Sequence, residues 1–274
     1  MKRIKRIILY SSAGLLIYLL ALLWLLPAER WFALWQQTAP AWTASRLDGN
    51  IFSGSVQQLR YAQRDFGDID WRWLPGRLLR GQLAYSVHLS TAVPEHQLSG
   101  RLVLSWNQSV SLEMLQGQLP ASVLQRWLEL PDLGFTALVA PDRLNLTLAG
   151  TPVRLQAADG LIRARQIVIR NAAQGIKPIS LGTLQLQLDS RQDAIHGTAQ
   201  DLDGPENGPE NGPDKGPVAL QADIILNPDG RYRITGQISP RPSADETVRA
   251  LLQLLLGPAG NGTHRLNLSG RLAF

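Results

Sequence analysis

The stretch Asp68-Ile69-Asp70-Trp71-Arg72-Trp73 switches between charged and large apolar side chains at every step. Successive side chains of a strand point to opposite faces of its sheet, so one face here carries Asp68, Asp70 and Arg72 and the other Ile69, Trp71 and Trp73. The same period runs on through Leu83, Tyr85, Val87 and Leu89, then Leu98, Leu102, Leu104 and Trp106, then Val110, Leu112 and Met114. It returns in Leu144, Leu146 and Leu148, in Ile167 and Ile169, in Leu184, Leu186 and Leu188, in Tyr232 and Ile234, and in Leu266 and Leu268. One wet and one dry face per strand means an antiparallel sheet. Asn227-Pro228-Asp229-Gly230, between Ile224-Ile225-Leu226 and Arg231-Tyr232-Arg233, supplies the turn chemistry of a hairpin.

Two short helices interrupt the strands. Residues 120–129 place Val123, Leu124, Trp127 and Leu128 on one stripe, and Ser243-Ala244-Asp245-Glu246 is a capping box opening a helix that stops near Gly257. Both are read as covers for the core, because an apolar stripe beside a half-dry sheet needs a home. The expected fold class is mainly β, a curved antiparallel sheet of half-barrel or sandwich-like form over residues 43–274. From Gly204 to Pro217 a GPEN unit repeats and then decays, GPENGPENGPDKGP, with too few apolar groups to fold. Segment 204–217 is therefore read as a disordered loop.

Upstream of the sheet, residues 7–26 contain no charged side chain, and a helix of that length spans about 30 Å, the thickness of a bilayer core. The run is longer than a signal-peptide core and Pro27-Ala28-Glu29-Arg30 is a poor cleavage site, so it is read as an uncleaved transmembrane anchor. Lys2, Arg3, Lys5 and Arg6 form a basic tail, 1–6, while Glu29 and Arg30 offset each other after the helix; the positive-inside rule puts the N-terminus in the cytoplasm. Residues 27–42 form a juxtamembrane segment. Trp24, Trp31 and Trp35, with Phe32, are expected as membrane-interface anchors, each indole keeping its ring in the acyl boundary. The tail supplies most of the net charge of +5, which leaves the remainder nearly neutral and speaks against a nucleic-acid partner. The absence of cysteine excludes disulfides, thiolate metal sites, a cysteine nucleophile and a lipidated cysteine.

Catalytic patterns are missing. His88, His96, His196 and His264 have no metal-ligand spacing, and neither a nucleophile elbow, an S-x-x-K pair nor a phosphate-binding loop occurs. The cluster Gly257–Gly262 follows a helix and is a stop and loop. Asp68 and Asp70 share a strand face, a solvated one, since Ile69 and Trp71 take the other side. No catalytic, metal-binding or cofactor-binding residue is assigned, and the chain is read as non-enzymatic.

Segments in fixed order carry a family resemblance: Leu47-Asp48-Gly49-Asn50-Ile51-Phe52-Ser53-Gly54; Ile69-Asp70-Trp71-Arg72-Trp73-Leu74-Pro75 with Leu78-Leu79-Arg80-Gly81-Gln82-Leu83; Gly117-Gln118-Leu119-Pro120; Asp203-Gly204-Pro205 with Gly216-Pro217-Val218-Ala219-Leu220; the 227–241 hairpin; and Ser269-Gly270-Arg271-Leu272. Over essentially its whole length the chain resembles protein N of the type II secretion system. The motif positions are Gly49, Phe52, Ser53, Gly54, Trp71, Pro75 and Gly81, with Phe52 standing where the family pattern has tryptophan. The resemblance implies a single-pass protein of the cell inner membrane with a periplasmic β domain. It also implies a place in the platform that exports folded proteins through an outer-membrane secretin. Expected partners are other type II secretion components, namely inner-membrane platform proteins and the secretin, together with inner-membrane lipid. The alternative is an envelope lipid-handling module resembling AsmA-like proteins, in which the curled sheet holds acyl chains on an apolar concave face.

Overall fold

A computed structural model of the chain describes residues 10, 14, 15, 18, 25–62, 64–127, 135–150, 154–169, 179–191, 194–202, 216–257, 260 and 262–271. The strands are β1 (Trp42–Thr43), β2 (Arg46–Gly49), β3 (Ser53–Tyr61), β4 (Arg64–Trp73), β5 (Gln82–Ser90), β6 (Gln97–Ser105) and β7 (Val110–Pro120). They continue as β8 (Phe135–Ala149), β9 (Arg154–Ile169), β10 (Ile179–Arg191), β11 (Ala194–Asp201), β12 (Val218–Leu226), β13 (Arg231–Pro240) and β14 (His264–Arg271). All belong to one 14-stranded sheet in which, from β3 onward, each strand pairs with its sequence neighbours, while β1 and β2 share the outer edge of β3. Every pairing is antiparallel. Among the described residues β14 pairs only with β13, so the curved sheet stays unclosed. This is the open, half-barrel form of the expectation; among the described residues there is no second sheet to pack on the first, as the sandwich-like form would need.

The alternation in the sequence is the alternation of the faces. In β4, Ile69 and Trp71 are half-buried while Asp70 and Arg72 are exposed. Register extends the apolar rows: Trp73 lies opposite Tyr85, Tyr85 opposite Leu102, Leu102 opposite Leu112 and Leu112 opposite Leu146. A second row joins Leu188, Gly197, Ile224, Ile234 and Leu268. The hairpin at 227–230 forms as read, with Gly230 N–H donating to Asn227 O (2.9 Å) and Leu226 opposite Tyr232.

Two residues depart from the period. Trp106 falls beyond β6 in the following turn and is 83% exposed. Met114 has φ 56° at a register shift between Leu112 and Leu115, which turns its side chain outward and passes the dry position to Leu115. Gln58, Arg143 and Gln166 occupy left-handed backbone at equivalent shifts in β3, β8 and β9. These are bulges, each adding a residue to one strand and increasing local twist. The exposed amides are capped from the next strand: Asp68 Oδ1 accepts from Gln58 N and Asn145 Oδ1 from Met114 N, both at 2.8 Å.

Among the described residues three helices with assigned bounds accompany the sheet, not two: α1 (Ala28–Thr38), α2 (Ala121–Trp127) and α3 (Glu246–Leu256). The first lies within the expected juxtamembrane segment. Residues 28–38 carry no helix breaker, and Pro40 ends the run. The second buries Ala121 against Ala137 and Ile167. The third begins two residues later than the capping box implied, because Ala244 is turned into the core with Val218 and Val248, leaving Asp245 as the cap through a 2.8 Å bond from Val248 N. Gly257 ends it as read. A 3₁₀ turn at Pro75–Arg80 lies beside the wet face, where Arg77 crosses to Glu113 of β7 (2.8 Å) and Ala84 and Val103 are almost fully buried.

The basic tail 1–6 and Trp24 lie outside the described residues, as does most of run 7–26; Tyr10, Leu15, Tyr18 and Leu25 are more than half exposed. Among the described residues no helix is long and apolar enough to cross a membrane. Of the expected loop 204–217, residues 204–215 are likewise outside the description, but Gly216 and Pro217 are placed and correct its downstream limit. Arg241 holds both banks of this insert: its guanidinium pairs with Asp201 at the end of β11 and donates to Gly216 O (3.0 Å), and its backbone N–H donates to Pro217 O (2.9 Å). Asp201 is only 4% exposed at its side chain. Arg241→Ala removes this ion pair from a nearly buried carboxylate together with the bond to Gly216 O, and is expected to lower Tm by several degrees. Deleting Pro205–Lys215 is expected to leave Tm within a few degrees, since loop length costs only about 0.6 kcal/mol per doubling. Thermal unfolding of the two purified variants beside the parent chain checks both.

Candidate functional site

The motif segment 49–54 folds into a turn organised by Asn50. Its side-chain Oδ1 accepts from the backbone N–H groups of Phe52 and Ser53, both at 2.9 Å, and its carbonyl accepts from the Trp71 indole Nε1–H at 3.1 Å. Asn and Gly lead such turns because a short amide can bond the backbone two residues on. Gly49 and Gly54 sit opposite each other, and a Cβ on Gly54 would lie 2.3 Å from Asp48 O and 2.6 Å from the Trp71 ring. Phe52 packs on Trp73 with ring centroids 4.9 Å apart. Asn50 also makes an isolated β-bridge with Pro27, which seats the first turn of α1 at this end of β3. Pro75 opens the 3₁₀ turn and Gly81 closes it with φ 67°, its Cα against the Trp106 ring. The seven motif positions thus form two adjoining clusters, one around Asn50 and Trp71 and one around the turn 75–81. Asn50 was not singled out from the sequence, although an Asn directly after Gly49 is a turn signal.

At the other end of β3 an aromatic row takes over. Trp35 of α1 meets Trp42 (5.3 Å), Trp42 meets Tyr61 (4.8 Å) and Phe66 (5.7 Å), and Phe66 stacks on Trp127 of α2 (5.2 Å, interplanar 17°). Trp127 Nε1–H donates to Asp65 O at 3.1 Å. Between the Asn50 turn and this row, α1 and the dry face of β2–β6 enclose a groove of about 540 Å³. Trp31, Phe32 and Trp35 form its helix wall, and Leu47, Val56, Ile69, Trp71, Val87 and Leu102 form its floor. Trp31 and Trp35, read as interface anchors, both line this groove, and Trp35 stays 45% exposed. The Trp31 Nε1 and Trp73 Nε1 are buried, and neither has a partner among the described residues. Tyr85 also lines the groove, and burial raises its phenol pKa above the ordinary value, keeping the hydroxyl protonated.

The four histidines remain apart. His264 is buried and structural, its Nδ1 2.9 Å from Gly257 O; His88 borders a shallow polar depression with Asp142 and Arg163 on the wet face. Asp68 is committed to the Gln58 amide. Among the described residues no group of histidines and carboxylates has the arrangement of a metal site.

The described residues form a single open sheet with one wet face, one greasy face and a helix laid along it. The family model of type II secretion system (T2SS) protein N matches residues 40–267, from just before β1 into β14. The chain belongs to that family. It is 26% identical over 231 residues to the type II secretion system protein N of Vibrio cholerae serotype O1 (strain ATCC 39315 / El Tor Inaba N16961), covering 82% of this chain and 83% of the relative. No solved structure matches it.

The Asn50 cluster makes a sharp prediction. Gly54→Ala forces a methyl group into backbone and indole and is expected to cost about 1–3 kcal/mol, whereas Gly76→Ala meets nothing within 4 Å and is expected to be neutral. Melting curves followed by tryptophan fluorescence distinguish them, with only the first variant red-shifting Trp71 before unfolding.

Proposed function

We propose that the chain is a non-enzymatic component of the type II secretion machine, anchored in the cell inner membrane by residues 7–26, with residues 27–274 in the periplasm. In this reading it contributes to export of folded periplasmic proteins across the outer membrane, and its partners are inner-membrane platform proteins and the secretin. The observation that carries it is the family match over nearly the whole sheet, from 40 to 267. The uncharged run 7–26 behind Lys2, Arg3, Lys5 and Arg6 supports the anchor and its direction. The free edge of β14 supplies a surface for contact with another component, since an unpaired edge strand offers its backbone N–H and C=O groups to a partner strand.

Two measurements test this. An alkaline phosphatase fusion after Phe274 is expected to be active and a fluorescent-protein fusion of the cytoplasmic type dark; the reverse pattern refutes the orientation. Deletion of the gene is expected to leave normally exported enzymes trapped in the periplasm, and unimpaired release from the deletion strain would overturn the secretion role.

A further inference from the structure

We propose that the groove between α1 and β2–β6 holds an acyl chain of a membrane phospholipid. The inference goes beyond secretion membership but rests on residues 7–26 being the anchor. The first argument is the lining. About 540 Å³ bounded by Trp31, Phe32, Val56, Ile69, Val87 and Leu102 is the size of a small-molecule site and offers water almost no partners.

The second argument is the polar remainder. Trp31 Nε1, although it has no partner among the described residues, is shut inside the protein and is not open to an occupant of the groove. Tyr85 brings one phenol to an otherwise apolar lining. A ligand that fits is therefore hydrocarbon over nearly all of its length, which describes an acyl chain. A peptide would bring backbone N–H donors into a wall without acceptors. The third argument is position. The helix wall begins at Ala28, immediately after the uncharged run, and Pro27 is bridged to Asn50 at the groove's end. The bilayer that receives residues 7–26 is thus the nearest source of acyl chains.

The test uses the full chain reconstituted in vesicles of phosphatidylethanolamine and phosphatidylglycerol, a fraction of the phosphatidylethanolamine carrying a photoactivatable diazirine on one acyl chain. Mass spectrometry after illumination is expected to find label on floor strands β4–β6 as well as on the anchor. Val87→Trp fills the groove and is expected to reduce floor labelling at least tenfold while labelling of residues 7–26 persists. The melting curve of Val87→Trp, compared with that of the parent chain, shows whether folding is preserved. Label confined to the anchor overturns the proposal. So does floor labelling by a free diazirine fatty acid with none from the phospholipid, or floor labelling that Val87→Trp leaves unchanged. Because these readouts are chemical, a normal secretion phenotype does not decide them, and a failed secretion test with positive floor labelling separates the two readings.

Discussion

A strand that alternates wet and dry residues acquires a dry face the moment it pairs, and among the described residues no second sheet covers it. Sandwiches solve the problem with a facing sheet and closed barrels with their own curvature. This 14-stranded meander does neither, since its edges do not meet. The cover comes from helices. The second seals its patch with Ala121 on Ala137, and the third does so with Val248 and, in the turn before it, Ala244 beside Val218. The first carries Trp31, Phe32 and Trp35, whose bulk holds the helix away from the floor and leaves a groove. Side-chain size beneath each helix thus decides whether the dry face becomes core or cavity.

Curvature has an equally local origin. The bulges at Gln58, Met114, Arg143 and Gln166 each place a non-glycine residue in left-handed backbone, a conformation retained only when surrounding pairing demands it. Their freed amides would be a liability, and Asp68 and Asn145 remove it in two cases. A carboxylate that resembles part of a cation site is thereby accounted for as a cap.

The motif that marks the family is, in physical terms, a device for building one end of the groove. Asn50 turns the chain, fixes Trp71 by its indole and receives Pro27, so three distant parts of the sequence meet at one residue. Arg241 performs a comparable service in the C-terminal half, joining the ends of β11, β12 and β13. With both banks held, residues 204–215 are free to vary in composition, which fits a degenerate GPEN repeat in that place. The groove and the β14 edge lie at opposite ends of the meander.

The period of two, the antiparallel class, the 227–230 hairpin and the positions of α2 and α3 were legible in the sequence, because each depends on residues within a few positions of one another. The family was legible for a related reason: its glycines and tryptophans satisfy local steric needs whose order along the chain survives divergence. Other features needed the fold. Met114 reads as inward until pairing with Asn145 reveals a bulge, and a bulge is a property of two strands. Asn50 reads as one turn residue among many until Trp71, twenty-one positions away, donates to it. Whether Trp31 and Trp35 face lipid or the domain could not be read from their spacing, since an aromatic stripe on a helix satisfies either. The decision belongs to tertiary structure, because only the unclosed sheet, with a dry floor and no partner sheet, creates a surface that those rings can cover without filling.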